Sequence, residues 1–249
     1  MPRFFIEDCP SADISRLTLS GSDFHHIRDV LRLRTEDIVI VCDGAGNDLE
    51  CRIDRFLPDG VELTILSRSA NQTEPRYRVT LYQGLAKGNK MDSIIQKAVE
   101  LGAVRIVPVA CRRSVARLDD QASDKKVQRW QRIATEAAKQ CGRGQLPDVG
   151  PLLGFSEAVS EAAGADLCLV PWESERERSL RSELEAKPNL PSNPSISVLI
   201  GPEGGFDADE ITMALDAGIC PVSLGRRILR TETAGAAVLA MIIYHFNDF

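Results

Sequence analysis

Two stretches of the 249-residue chain order glycine, charge and hydroxyl in a way that suits ligand chemistry. The first, Ser197-Val-Leu-Ile-Gly-Pro-Glu-Gly-Gly-Phe-Asp-Ala-Asp-Glu210, is an apolar run followed by a Gly-Pro-Glu-Gly-Gly loop. Asp207 and Glu210 then stand at capping-box spacing and open a helix. The second, Val222-Ser-Leu-Gly-Arg-Arg-Ile-Leu-Arg-Thr-Glu-Thr-Ala-Gly-Ala-Ala237, repeats the plan with Gly225, a cationic bend, and a helix start carrying Thr231, Glu232 and Thr233. Loops at the C-terminal ends of parallel strands are where α/β sheets bind ligands. Neither stretch is Gly-x-Gly-x-x-Gly or a loop ending in Gly-Lys-Ser/Thr, and Glu203 would repel a triphosphate, so a cationic or hydroxyl-bearing ligand fits better than a phosphate. The same glycines would also serve plain chain reversal. N-capping over a tightly packed small-residue face would account for the Thr and Ala residues of 231–237. Neither reading explains Arg230, wedged between an apolar pair and a cap.

The elements that must position these loops follow from periodicity. From Met1 to about Asn71 the pattern is short and β-like, with strands expected at 37–42, 48–53 and 60–66 and a hairpin turn at Asp43-Gly-Ala-Gly-Asn47. Residues 22–31 read as one short helix capped by Ser22 or Asp23. This predicts a small β-barrel with one helix over 1–72. Polar, aperiodic Ser67 to Pro75 marks the boundary to a second domain, 73–249. There strands alternate with helices: strands at 77–83, 104–109, 165–170, 196–200 and 220–224, helices at 89–101, 125–141, 155–163, 207–217 and up to about 246. Alternation of this kind predicts a mostly parallel sheet covered on both faces. Met91, Ile94, Ile95, Ala98 and Val99, and Trp130, Ile133, Ala134, Ala137, Ala138 and Cys141, fall at helical spacing as core stripes. Arg129, Arg132, Glu136, Lys139 and Gln140 are then expected to face outward.

Composition narrows the class. Hydrophobic residues at 43% and charged residues at 27% exclude a disordered, collagen-like or coiled-coil chain. The longest apolar-rich run, Ala234 to Phe246, is too short to span a bilayer, and the first residues reach Glu7 and Asp8 before a signal-like apolar segment could form. Seven cysteines scattered without a Cys-x-x-Cys pair point to a reducing cytosol, free thiols and no metal site. The net charge of −6 hides a segregation: residues 1–72 carry −5, 76–145 carry +9 and 146–249 carry −9. A basic stripe in an acidic chain is the footprint of a local polyanion site, and equally of a solvated helix face.

Lys87-Gly-Asn-Lys-Met91, Gln96-Lys-Ala-Val-Glu-Leu-Gly102, Trp130-Gln-Arg-Ile-Ala134 with Gln140-Cys-Gly-Arg143, Leu199-Ile-Gly-Pro-Glu-Gly-Gly205 and Leu224 to Thr233 together resemble the ribosomal RNA small subunit methyltransferase E family of the SPOUT superfamily. His26-Ile-Arg-Asp-Val-Leu-Arg32 matches that family's PUA-like domain, so the resemblance covers nearly the whole chain in order. Arg226 departs from it, standing where the family pattern has Pro. The resemblance implies an N-terminal PUA-like β-barrel and a C-terminal α/β domain with a trefoil knot, an exception to the un-knotted rule. It further implies a homodimer that uses S-adenosyl-L-methionine to methylate uridine N3 in 16S rRNA of the small ribosomal subunit, in the cytoplasm, with no membrane and no metal. The implied cofactor residues are Val170, Pro171, Ile200, Gly201, Pro202, Glu203, Gly204, Gly205, Leu224, Gly225, Ile228, Leu229, Arg230 and Thr231. Uracil N3 carries a proton and becomes nucleophilic only when it leaves, so the site needs a base or a cation that stabilises the flanking oxygens. Arg230 is the candidate cation and Glu232 the candidate base, with a carboxylate favouring the helix N-terminus as the alternative reading of Glu232. Lys87, Lys90, Arg112, Arg113 and Arg143 are candidate RNA phosphate contacts, with His26, Arg28 and Arg32 in the first domain beside them. One of His25 and His26 is expected to pack into that domain's core.

Two rival classes stay open on residues alone. A phosphoryl-transfer enzyme would need Lys or Ser/Thr after the glycines, where Phe206 and Asp207 stand. A non-catalytic RNA-binding module would leave the second glycine bend and Arg230 without a role.

Overall fold

The computed structural model of the chain describes residues 1–6, 14–44, 46–114, 120–187 and 190–248; Cys9, expected as a free thiol, lies outside them. The chain divides into two units, Met1–Glu74 with Ala138–Leu146, and Pro75–Ala137 with Pro147–Phe249. The return of 138–146 to the first unit is absent from the sequence reading, which kept it in the second domain. Its cause is a set of polar bonds that periodicity does not register. The Arg143 guanidinium, nearly buried, donates to both carboxylate oxygens of Glu74 at 2.7–3.1 Å, and Glu74 Oε1 also accepts from the backbone N–H groups of Gly144 and Gln145.

In the first unit five strands pair in the order β1-β3-β4-β5-β2: β1 Arg3–Phe5, β2 Arg16–Ser20, β3 Ile38–Cys42, β4 Asn47–Leu57 and β5 Gly60–Ala70. β1 runs parallel to β3 and the other pairs are antiparallel. The strands alternate buried and exposed positions as period-two sequence requires. Phe4 of one edge strand and Leu19 of the other enter the same core, with Val39, Val41, Leu49, Ile53 and Leu63, so the sheet wraps one interior although β1 and β2 form no ladder. The expected helix over 22–31 is instead helix α1, Gly21–His25, followed by a π-helical turn over His26–Val30 that closes with Leu31 N–H on the His26 carbonyl. Its cap residue is Ser20 and makes no side-chain capping bond. The wider turn lets Ile27 reach the core while His26 packs edge-on against Phe4 at 6.1 Å, so the packed histidine of the pair is His26. Lys139, expected outward, donates to Asp23 at 2.8 Å within this unit and is largely buried.

The second unit is an α/β fold. Its strands are β6 Arg78–Gly84, β7 Ala103–Ala110, β8 Asp148–Val149, β9 Leu153–Gly154, β10 Leu167–Pro171, β11 Ser195–Ile200 and β12 Cys220–Val222. They pair in the order β12-β10-β11-β6-β7-β8, with β9 on β7, and every pair is parallel. Around the sheet lie α2 Lys90–Glu100, α3 Asp120–Cys141, α4 Phe155–Ala162, α5 Leu180–Glu185, α6 Ala208–Asp216 and α7 Thr231–His245. Central β11 is buried along nearly its whole length, as strands covered on both faces must be. α2 buries Met91, Ile94, Ile95, Ala98 and Val99, the stripe its sequence spells out. Among the described residues the six remaining cysteines are free, and no helix is long and apolar enough to cross a membrane. Burial pushes the Cys42, Cys51 and Cys111 thiols up to about 12, which leaves them protonated and inert.

Candidate active site

Because all strands of the second unit are parallel, the C-terminal ends of β6, β10, β11 and β12 open on one side. β6 and β11 are neighbours although the chain leaves β6 towards β7 and β11 towards β12, which makes their junction a switch point of the sheet. The loop after β11 needs its glycines for shape. A Cβ on Gly201 would lie 3.2–3.3 Å from Gly205 and Phe206 backbone atoms, Gly205 has φ +67°, and its N–H donates to the Pro202 carbonyl at 2.9 Å. From β6, Gly84 permits an equally close approach, since a Cβ there would lie 2.6 Å from Pro202. Chain reversal is therefore a real function of these glycines, and the reversal builds a cleft.

Three polar links fix the loop. Gln83 Nε2, buried at the end of β6, donates to Thr231 Oγ1 at 2.9 Å, and Thr231 Oγ1 donates to the Gly201 carbonyl at 2.6 Å. Glu203 Oε1 accepts from Lys87 N–H at 3.0 Å and lies 3.0 Å from Lys90 Nζ, which is also 3.4 Å from Glu232 Oε2. Glu210, buried, accepts from Asp207 N–H in a capping box and from Arg112 N–H, both at 2.8 Å.

The cleft so formed encloses about 440 Å³. Its walls are Ile200 to Phe206 from the first loop, Ile228 to Thr231 and Ala234 from the second, and Lys90, Pro171 and Glu173. A smaller hollow of about 100 Å³ shares Pro171, Glu173, Ile228, Leu229 and Ala234 with it and adds Trp172, Arg176, Ser223, Leu224, Gly225, Arg226 and Arg227. Burial alone would raise the Glu203 carboxyl, but Lys87 N–H and the Lys90 ammonium outweigh it and hold it below its ordinary 4.5. Glu232 is likewise lowered, first by its own backbone N–H at the start of α7, then against burial by Lys90 and Arg230. Lys90 is raised, chiefly by its bond to Glu203. At neutral pH the cluster is thus two carboxylates around one ammonium. The Arg230 side chain is exposed and makes no hydrogen bond or ion pair among the described residues.

A family model described as an RNA methyltransferase domain matches residues 72–243, and an RNA methyltransferase PUA domain matches 19–55. Ribosomal RNA small subunit methyltransferase E of Bacillus subtilis is 33% identical over 98% of this chain and 96% of its own length. The chain belongs to the ribosomal RNA small subunit methyltransferase E family. The enzyme of that name from Synechocystis is 34% identical over 91% of this chain and 72% of its own length. Among solved structures, ribosomal RNA small subunit methyltransferase E from Neisseria gonorrhoeae bound to S-adenosyl methionine is 31% identical with a TM-score of 0.85, covering 98% of this chain and 97% of that one. A Legionella pneumophila methyltransferase in complex with SAM is 29% identical with a TM-score of 0.85, covering 97% and 96%.

For a member of the small subunit methyltransferase E family, the cofactor residues expected from sequence gather well. Pro171, Ile200, Gly201, Pro202, Glu203, Gly204, Gly205, Ile228, Leu229, Arg230 and Thr231 line the cleft, and Leu224 and Gly225 the hollow. Val170 lines neither and belongs to the core beside Val107 and Leu199. Glu232 does not line the cleft; its carboxylate is held by Lys90, so it reaches the cleft only through that ammonium. Arg143 needs correction: its guanidinium is buried on Glu74 and cannot offer itself to a phosphate. Arg112 and Arg113 are exposed but paired, the first with Asp207 and Asp209 and the second with Asp207. Lys87 is exposed with no side-chain partner among the described residues. In the first unit Arg28 lies over the Phe24 ring and pairs with Asp29, and exposed Arg32 has φ +53°. Sequence reasoning missed Glu173 and Phe206 as cleft residues. Glu173 was within reach, because it follows the end of β10 by two residues, where ligand loops begin.

Proposed function

We propose that this chain transfers a methyl group from S-adenosyl-L-methionine to N3 of a uridine in 16S rRNA. The observation that carries the reading is the cleft itself: glycine backbone and apolar walls at four parallel strand ends, with one unpaired guanidinium, Arg230, at its lining. The residues fit this cofactor. Ile200, Pro202 and Leu229 offer an apolar slot for an adenine, and the volume of about 440 Å³ falls in the range of small-ligand sites. Glu173 and Glu203 suit a ligand that carries positive charge. When bound, S-adenosylmethionine supplies an electrophilic methyl group on a sulfonium.

The protein's own part is positioning and charge. Gln83, Thr231 and Gly201 fix the two loops against each other, a proximity contribution. Arg230 stabilises negative charge on the uracil carbonyl oxygens as the N3 proton passes to solvent water. Glu232 is the weaker base for being held below its ordinary pKa, and we assign it instead to holding Lys90 at the cleft, where that ammonium adds to the same stabilisation. Lys87, Arg112 and Arg113 by the cleft and His26, Arg28 and Arg32 in the first unit serve as RNA contacts, and an exposed or flipped uridine can enter at modest cost. A trefoil knot, a cytoplasmic location and a homodimer belong to the same reading. Support for the dimer comes from α7, apolar on nearly every side with Met241 and Tyr244 43% and 73% exposed, since a helix of that character is normally covered.

Calorimetric titration with S-adenosylmethionine, with ATP and GTP as controls, tests the cofactor. Nucleoside analysis of unmethylated 16S rRNA after incubation tests the product. Micromolar-range binding of the methyl donor alone, about −8 kcal/mol, and 3-methyluridine in the digest support the reading. A preference for triphosphate, or a methyl group on another atom, overturns it.

A further inference from the structure

Among the described residues, five cations of the basic stretch are answered by acids of the second unit, including Lys90, Arg112 and Arg113 beside the first ligand loop. Lys90 faces Glu203 and Glu232, Arg105 faces Asp148 and Glu161, Arg112 faces Asp207 and Asp209, Arg113 faces Asp207, and Arg129 faces Asp92. The block with a net charge of −9 nevertheless leaves arginines unpaired. Its Arg176, Arg226 and Arg227 line the hollow beside the cleft, all three are exposed, and none makes a side-chain hydrogen bond or ion pair among the described residues. Glu173 lines the same hollow, yet no ion pair joins it to them. Like charges gathered round one depression repel, and an acidic chain has carboxylates enough to pair them, so an arrangement left uncompensated suits an anion that arrives from outside. Gly225, at φ +105° with no atom within 4 Å of where a Cβ would sit, keeps the approach to this rim open.

We propose that Arg176, Arg226 and Arg227 hold the RNA phosphodiester backbone that flanks the methyl-accepting nucleotide. The inference rests on the RNA methyltransferase reading and names the surface that reading left out. A guanidinium offers a planar fork of donors matched to phosphate oxygens, and such contacts set register and not sequence. The hollow adjoins the cleft through Pro171, Ile228 and Leu229, so a nucleotide next to a phosphate held here is directed towards Arg230.

The test uses the full chain as wild type, as Arg226→Gln, and as the triple variant Arg176→Gln, Arg226→Gln, Arg227→Gln. Binding of an unmethylated 16S rRNA transcript is measured over a series of salt concentrations, and methyl transfer, S-adenosylmethionine affinity and thermal melting in parallel. Each phosphate contact to a single strand contributes about 0.7 to the log–log salt slope. The slope should therefore shrink by about 2 in the triple variant and about 0.7 in Arg226→Gln, with cofactor affinity within about twofold of wild type. A wild-type slope in the variants overturns the proposal, and so does cofactor affinity falling in step, which would assign the arginines to the cofactor. Should the triple variant melt early, Arg226→Gln alone decides. A wild type that transfers no methyl refutes the methyltransferase reading, whereas an active wild type with an unchanged variant slope refutes the arginine surface alone.

Discussion

Arg230 occupies the cap position of α7 without capping it, since its side chain makes no bond to the helix start. Thr231 is turned to Gln83 and Gly201, so the cap position keeps a guanidinium uncommitted at the cleft lining. Arg230→Ala should lower kcat by about 10²–10³, the usual consequence of removing one donor to a developing oxyanion. Its cofactor dissociation constant, read calorimetrically, should stay within about twofold, and unchanged turnover would remove Arg230 from the chemistry. Glu203 works differently, through ionisation. Its carboxyl is lowered by Lys87 N–H and Lys90, so the clamp contributes in full above the ordinary 4.5 and is lost as pH falls through the depressed value. Cofactor affinity should accordingly be flat from pH 8 to about 5 and weaken below that. In Glu203→Gln the acid loss should vanish and affinity should be low throughout.

At the scale of elements the decisive feature is how closely β6 and the loop after β11 approach. Gly84→Ala would place a Cβ 2.6 Å from Pro202, and the loop must move or β6 must shift. Overpacking of this kind costs about 1–3 kcal/mol. The expected result is a modest drop in melting temperature together with a large loss of cofactor binding, because the displaced residues are the cleft wall; retained affinity would show the loop to be pliant. Both ligand loops were legible in the sequence, as each combines an apolar strand with glycine and a helix start. α2 was legible for the same reason, its buried stripe repeating at helical spacing. Illegible were β1, β8 and β9, with two or three residues each, and α5, whose cap pairs Ser179 with Ser182 in place of the acidic partner that marks a capping box. The π turn at His26–Val30 was hidden because one added residue in a helix leaves local propensity unchanged and is fixed by Phe4 and the core. Glu232 stood open between a base and a helix-start carboxylate, because its spacing from Arg230 is visible in sequence and its bond to Lys90, 142 positions away, is not.

For the whole molecule, block charge did not show which cations stand free at the cleft and the hollow. Net +9 over 76–145 is real, yet pairing with distant acids takes up Lys90, Arg112 and Arg113 beside the loop, while the acidic block displays Arg176, Arg226, Arg227 and Arg230. Arg143 is the clearest case, being a structural residue of the first unit. Removing one partner of a buried pair costs about 3–5 kcal/mol. Arg143→Met should therefore lower the stability of that unit by about that much in denaturant titration, with the salt dependence of RNA binding unchanged; a shallower slope would restore it to the RNA surface. The same pair bears on how the chain is made. Glu74 closes the stretch that carries all five strands of the first unit, but its partners at 143–145 follow about 70 residues later, beyond the end of α3. At ~5–20 residues per second a ribosome needs several seconds to bridge that interval, against microseconds for a hairpin to form. During synthesis Glu74 thus stays unanswered by Arg143, Gly144 and Gln145 until nearly 150 residues have emerged. Any pause in translating that interval would prolong the exposure of an unfinished domain.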